Sequence, residues 1–171
     1  GLNAYVSAGI KSDHECTTVA EAREKLRSGM FIMIREGTAA KNLKALLPLV
    51  NSENSRKCLF VTDDRHLEDI FKQGHVDHIV RSAIKLGVEP IRAIQMASIN
   101  AAEYFGLKDL GAVAPGYKAD LIVFDDFKRL KISKVIKDGR VVAEDGVLKP
   151  SAVTDYQGKV RGSINVRWIE Y

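Results

Sequence analysis

The chain has 171 residues, of which 46% are hydrophobic and 28% charged, and it carries a net charge of +4. This composition is typical of a globular protein and excludes a disordered chain, a collagen-like chain and a disulfide scaffold. No run reaches the roughly 18 to 20 apolar residues that span a bilayer, and the first residues lack the pattern of a secretory signal peptide. We therefore expect a cytoplasmic protein that does not bind membranes.

Two further features narrow the class of protein. Cys16 and Cys58 lie far apart and lack CxxC spacing, so we interpret both as reduced thiols rather than as part of a disulfide or a structural zinc site. Basic and acidic residues are interspersed, and the densest basic stretch, residues 128–140, alternates with apolar side chains. That alternation is typical of the solvent-facing side of β-strands, so we expect no binding to nucleic acid.

Helical and strand patterns alternate over residues 1–106, which predicts an α/β fold with a parallel sheet. Residues 2–8 predict the end of a helix at Gly9, and the capping box at residues 18–21 predicts a helix that stops at Gly29. Thr38 is predicted to cap a helix. Two more helices are predicted, over residues 76–87 and from Pro90 to Met96. The predicted strands are residues 10–13, 30–34 and 58–62.

A different pattern follows over residues 107–150, where strands and turns dominate. Strands are predicted at residues 119–124 and 132–137 and from Val141 onward, with Asp138 and Gly139 as a hairpin turn. We therefore divide the chain into an α/β unit at 1–106, a small β-rich subdomain at 107–150, and the start of a C-terminal region at 151–171. The last contains one strand candidate, residues 164–169.

Polar clusters follow each of the three α/β strands, and in parallel sheets the carboxyl ends of the strands carry the chemistry. A histidine, His14, and a carboxylate, Asp63, in neighbouring clusters are the donors that a catalytic divalent metal uses. Two ligands are too few for such a site, and His75 and His78 are more simply part of a helix entrance. A buried ion pair between Arg35 and Glu36 is an equally good interpretation of the second cluster.

Three segments resemble the adenine deaminases of the amidohydrolase superfamily: residues 12–18 (SDHECTT), 33–43 (MIREGTAAKNL) and 61–66 (VTDDRH). Residues 96–107 and 111–121 resemble amidohydrolases more generally. The resemblance implies a partial (β/α)8 metal-dependent hydrolase barrel of about three βα units, corresponding to strands six to eight, followed by the small β-rich subdomain. The family's HxH pair, strand-four carboxylate and strand-five histidine have no counterpart here, so we expect further sequence upstream.

Roles for individual residues follow from the same resemblance. It implies that His14 and Asp63 bind a divalent metal, manganese or iron with zinc also compatible. Asp63 would in addition move the proton of the attacking water. Asp64 would bind a purine ring nitrogen, and Glu15 and Arg35 would contribute to substrate binding at the same rim.

The implied reaction is the hydrolytic deamination of adenine to hypoxanthine and ammonia in purine salvage, with the isolated chain inactive. We expect the chain to form a homo-oligomer or to associate with the missing part of the barrel. Two alternatives stay open at this point. One is another cyclic-amide or deaminating amidohydrolase, which the generic blocks at residues 100–103 and 114–117 fit equally well. The other is a non-catalytic, assembly-dependent fragment.

Overall fold

The structure is a computed structural model and describes residues 1–150. Seven α-helices and seven β-strands form within this range. The helices are α1 (Leu2–Ser7), α2 (Val19–Arg27), α3 (Leu43–Leu46), α4 (Leu67–Gln73), α5 (Val76–Lys85), α6 (Pro90–Ala97) and α7 (Ile99–Tyr104). The strands are β1 (Ser12–Asp13), β2 (Phe31–Arg35), β3 (Cys58–Val61), β4 (Leu121–Phe124), β5 (Ile132–Lys137), β6 (Arg140–Glu144) and β7 (Val147–Leu148).

The first sheet is parallel, in the order β1–β2–β3, as the alternation of strands and helices predicts. Arg35, the last residue of β2, pairs with Val61, the last residue of β3. The residues that follow these two strands therefore leave the sheet at the same level. The first strand is shorter than expected, with two residues in place of four, and pairs Asp13 with Ile32 near the start of β2.

Helices cover this sheet and bury its apolar side chains. Ile32 and Ile34 of β2 are fully buried, and the core around them takes Ala22 from α2, Ile79 from α5 and Met96 from α6. Burying each large aliphatic side chain contributes roughly 1.5 to 3 kcal/mol to the free energy of unfolding. This core therefore stabilises the sheet whose strand ends carry the polar clusters.

Local capping explains where two of these helices begin. The hydroxyl of Thr18 accepts a hydrogen bond from the amide of Glu21, as the capping box predicts. Pro90 occupies the first turn of α6, and the carboxylate of Glu89 accepts hydrogen bonds from the amides of Ile91 and Arg92. These contacts satisfy amide groups that have no partner inside the helix.

The prediction that Thr38 caps a helix is wrong. The next helix begins only at Leu43, and Thr38 lies in a loop that the bridge between Glu36 and Lys41 closes. Its hydroxyl instead donates to the Asp69 carboxylate and accepts from the His66 amide, so Thr38 ties the loop after β2 to α4.

Two helices were not predicted as separate elements. Helix α4 has no buried residue, and its largest apolar side chains, Leu67 and Phe71, are exposed, so it lacks the buried face that periodicity detects. Helix α7 follows α6 after a break at Ser98, whose backbone leaves the helical region.

The second sheet is an antiparallel meander in the order β4–β5–β6–β7. Asp138 and Gly139 both have positive φ, at 48° and 76°, which gives the tight hairpin that their sequence predicts. Leu130 is buried in the same core as the helices, and Phe124 packs against it. The exact division at residues 106 and 107 stays a prediction, and the strand candidate at 164–169 lies outside the described residues.

The basic stretch at residues 128–140 behaves as a solvent-facing strand side. Lys134 and Lys137 of β5 are exposed and pair with Glu144 and Asp120.

Among residues 1–150, no helix combines the length and apolar character needed to cross a membrane.

Candidate active site

Side chains from all three parallel strands lie at one edge of the first sheet. His14 and Glu15 follow β1, Arg35 ends β2, and Asp63 follows β3 by two residues. We call these four residues the rim cluster. Their strand-end positions put them where parallel sheets carry their chemistry.

Arg35 connects the members of this cluster. One terminal nitrogen, Nη1, donates to Glu15 Oε1 at 2.9 Å and to Asp63 Oδ2 at 2.8 Å, while Nη2 donates to Glu15 Oε2 at 2.8 Å. His14 Nε2 lies 3.3 Å from Glu15 Oε1. The Arg35 side chain is only 11% exposed, against 63% for Glu15 and 34% for Asp63. Hydrogen bonding to Glu15 raises the pKa of Arg35, so the guanidinium stays charged.

The alternative pairing of Arg35 with Glu36 is wrong. Arg35 ends β2 and reaches Glu15 after β1 and Asp63 after β3. Glu36 lies beyond the strand, in the bridge with Lys41. Glu36 accepts a hydrogen bond from the Leu43 amide at 3.4 Å, and burial raises the pKa of its carboxyl. It therefore belongs to the loop that leads into α3.

Asp63 takes an unusual backbone conformation for a side chain other than glycine. Its φ is 53°, in the left-handed region that aspartate and asparagine tolerate better than most residues. The Asp63 carbonyl accepts a hydrogen bond from the Arg65 amide at 2.9 Å, which closes the turn. The turn leaves the Asp63 carboxylate one-third exposed, with Oδ2 bound by Arg35.

Asp64 binds the loop after β2. Its Oδ2 accepts from the Ala39 amide at 3.1 Å, and this hydrogen bond is the main reason that the pKa of Asp64 is lowered. A Cβ on Gly37 would collide with Asp64 Oδ1 and lie 2.9 Å from the Thr62 carbonyl, so the close approach requires glycine. In this structure the carboxylate holds the loop, and its contact with a purine stays a prediction.

His75 lies closer to the rim than its sequence context indicated. It precedes α5, as expected for a helix entrance, but its Nε2 lies 3.4 Å from the hydroxyl of Thr62, the residue before Asp63. His78 lies further along the same helix, and burial lowers the pKa of its imidazole. No spacing motif in the sequence links His75 to Thr62, because the contact depends on how α4 turns the chain back.

A second group of possible metal donors is occupied by a lysine. Asp13, Cys16 and Glu21 place one donor atom each within 4.8 Å of one another, and they are the three-donor group found among residues 1–150. The Lys25 ammonium forms ion pairs with both Asp13 and Glu21. Its positive charge takes the place that a cation would fill, so this group stabilises the fold between β1 and α2.

The rim cluster offers donors of the right chemistry for a divalent metal. His14 supplies an imidazole nitrogen that is about half exposed, and Asp63 supplies a carboxylate oxygen. Nitrogen and oxygen donors of this kind suit manganese, iron and zinc. Catalytic sites usually use about three protein ligands, and these two residues fit as part of such a set.

A family model and individual relatives both match most of this chain. The family model described as the amidohydrolase family matches residues 1–142. Adenine deaminase from Oceanobacillus iheyensis is 50% identical over 150 residues, which is 88% of this chain and 26% of that protein. Adenine deaminase from Clostridium acetobutylicum is 52% identical over 167 residues, or 97% of this chain and 29% of that protein. This chain therefore spans between a quarter and a third of the length of these relatives.

A solved structure supports the fold. The β-aspartyl dipeptidase of Fervidobacterium islandicum AW-1 superposes with a TM-score of 0.61 at 21% identity, covering 76% of this chain and 35% of that one. The three parallel strands with their helices form part of a barrel of the metal-dependent hydrolase type that the family match implies, and the amidohydrolase family implies a divalent metal. Together, the fold and the match over residues 1–142 show that the chain belongs to the amidohydrolase family.

Proposed function

We propose that this chain supplies one part of the active site of an enzyme that hydrolyses adenine to hypoxanthine and ammonia. The observation that carries the proposal is the rim cluster, in which Arg35 binds both Asp63, which follows β3, and Glu15, the neighbour of His14. The identity of about 50% with proteins named adenine deaminase supports adenine as the substrate.

His14 and Asp63 are the residues that would hold the metal in this proposal, with manganese or iron as our choice. A bound divalent metal lowers the pKa of a coordinated water toward 7, which makes hydroxide available at neutral pH. His14 would supply an imidazole nitrogen to this metal, and Asp63 would supply one carboxylate oxygen.

Asp63 also moves the proton of the reaction. Its carboxylate takes a proton from water as the new bond to C6 of adenine forms, and it delivers that proton to the departing amino group. The C6–N bond breaks, ammonia leaves, and the ring keeps the oxygen as hypoxanthine. The second proton of the water moves to N1 of the ring, so all atoms of water and adenine appear in hypoxanthine and ammonia.

The base itself needs partners that recognise the ring nitrogens. Asp64 and Glu15 are our candidates, because each carboxylate keeps acceptor sites beyond those already used by the Ala39 amide and by Arg35. We place the reaction in purine salvage in the cytoplasm, and two buried free thiols, Cys16 and Cys58, suit a reducing compartment.

We also propose that the first sheet associates with further chain, either the remaining strands of a barrel or a second copy. Within residues 1–150, β1 and β3 are edge strands of a three-stranded sheet. Unpaired edges favour pairing with additional strands.

A substrate panel tests the proposed reaction. The complete enzyme that contains this segment should release ammonia from adenine and produce hypoxanthine in equal amount, and it should turn over hydantoin and dihydroorotate poorly. Turnover of either cyclic amide without adenine would instead support another amidohydrolase reaction. No turnover of any of the three by metal-loaded enzyme would contradict the proposal.

A further inference from the structure

The rim cluster contains one residue whose contacts do not fit a substrate ligand. Arg35 donates two hydrogen bonds to Glu15 and one to Asp63, and its Nε is buried without a partner. A guanidinium has five N–H donors. Three are used and a fourth is closed off from solvent, so at most one remains for a ligand.

The same contacts fix the orientation of Asp63. Both Glu15 oxygens bind Arg35 in a forked arrangement, which holds the planar guanidinium in one position. Arg35 then binds Asp63 only through Oδ2, at 2.8 Å. The second oxygen, Oδ1, has no hydrogen bond within residues 1–150, so it is the oxygen left for the metal and the reacting water. The φ of 53° further restricts the residue.

We infer that Arg35 is a positioning residue for the proposed deamination: braced by Glu15, it holds Asp63 so that Oδ1 faces the reacting water, and it does not bind the purine. This inference rests on the proposed function for the role of Asp63. Glu15 then has an indirect role: it orients the Arg35 guanidinium, and the guanidinium orients Asp63.

The test uses the complete enzyme with Arg35→Ala, Glu15→Gln and the double variant, and measures kcat and KM for adenine. A misplaced reacting group can cost about 100-fold in rate, so Arg35→Ala should lower kcat by about that factor and leave KM within about 3-fold. Glu15→Gln alone should lower kcat less, and it should add little in the Arg35→Ala background, since the two residues act through one chain of contacts. Arg35→Lys should not restore kcat, because an ammonium is a point charge that cannot reproduce the fork.

A second readout does not depend on turnover. Residues that orient a metal ligand typically change metal affinity by about 10-fold to 100-fold, so Mn²⁺ titration should show weaker binding in Arg35→Ala. If wild-type enzyme binds Mn²⁺ but does not deaminate adenine, the proposed function is wrong. The difference in Mn²⁺ affinity between wild type and Arg35→Ala would still test the role of Arg35.

Arg129→Ala is the matched control. Arg129 also bridges two carboxylates, Asp125 and Asp126, but it follows β4 in the second sheet. It should leave kcat, KM and Mn²⁺ affinity unchanged. A raised KM in Arg35→Ala with unchanged kcat and Mn²⁺ affinity would overturn the inference, because that is the signature of a substrate ligand. If Arg35→Ala does not fold, unchanged kcat in Glu15→Gln overturns it.

Discussion

At the rim of the first sheet, strand position predicts which residues lie near one another. It does not predict which of them form ion pairs. Residue types at the strand ends predict that histidine, arginine and carboxylates share one edge. The partners of Arg35 could not be predicted, because Glu15 and Asp63 are distant in sequence and follow other strands. The adjacent Glu36 belongs to the loop after β2. Pairing across strands depends on register, which single-residue patterns do not encode.

Cys58 is a residue whose burial affects how the stability of the protein depends on pH. The side chain is fully buried at the start of β3, and desolvation raises the pKa of its thiol to about 12. In the unfolded chain the thiol ionises near pH 9, its ordinary value. Between about pH 9 and 12 the unfolded chain therefore releases a proton that the folded chain keeps, and the free energy of unfolding falls as pH rises.

The prediction compares wild type with Cys58→Ala in urea unfolding at several pH values. Wild type should lose stability more steeply than the variant from about pH 9 upward, and the two should run parallel at lower pH. Alkylation at pH 8 with peptide mapping provides the control, since native Cys58 should react far more slowly than the denatured chain. Equal pH slopes together with rapid labelling of native Cys58 would contradict its burial.

At the level of elements, local signals predict best where they act through neighbouring residues. The capping box at Thr18, the proline at the start of α6 and the Asp138–Gly139 hairpin all form as expected. The prediction that Thr38 caps a helix fails because its hydroxyl bonds to α4 instead. Helix α4 has no buried face and therefore no periodic signal in the sequence. The loop between β2 and α3 is fixed by these distant contacts rather than by its own sequence.

Asn100 connects two elements that the sequence does not show to be in contact. It is almost fully buried in α7, and its amide donates to the carbonyls of Ser55 and Cys58 at 2.8 Å each. Its oxygen accepts from Arg56 at 2.7 Å. These bonds anchor the start of β3, the strand that leads to Asp63.

Replacing Asn100 with alanine should remove three hydrogen bonds: two from its amide to the carbonyls of Ser55 and Cys58, and one from Arg56 to its oxygen. We expect a loss of roughly 3 kcal/mol in the free energy of unfolding, because each such hydrogen bond contributes about 1 kcal/mol. Urea unfolding of Asn100→Ala against Asn3→Ala, an exposed residue of α1, measures the difference. A loss no larger than that of Asn3→Ala would show that the anchor is unimportant.

At the scale of the whole molecule, the two regimes of sequence periodicity correspond to the two sheets, one parallel and one antiparallel. Their shared core includes Leu130, whose burial no local pattern predicts, because it depends on the second sheet packing against the helices. An eight-stranded barrel takes roughly 250 residues, and the described residues supply three parallel strands. In our proposal, His14 and Asp63 would act together with ligands from the remaining strands of such a barrel.

The most direct test of the central claim is the rate of adenine deamination by the complete enzyme carrying Asp63→Asn. Asparagine tolerates the positive φ at this position, so the substitution removes the charge and the proton acceptor while keeping the backbone. Asp145→Asn is the matched control, since Asp145 also has a positive φ, 48°, but lies in the turn between β6 and β7. We predict a loss of at least about 100-fold in kcat for Asp63→Asn and an unchanged rate for Asp145→Asn. Full activity in Asp63→Asn would contradict the account.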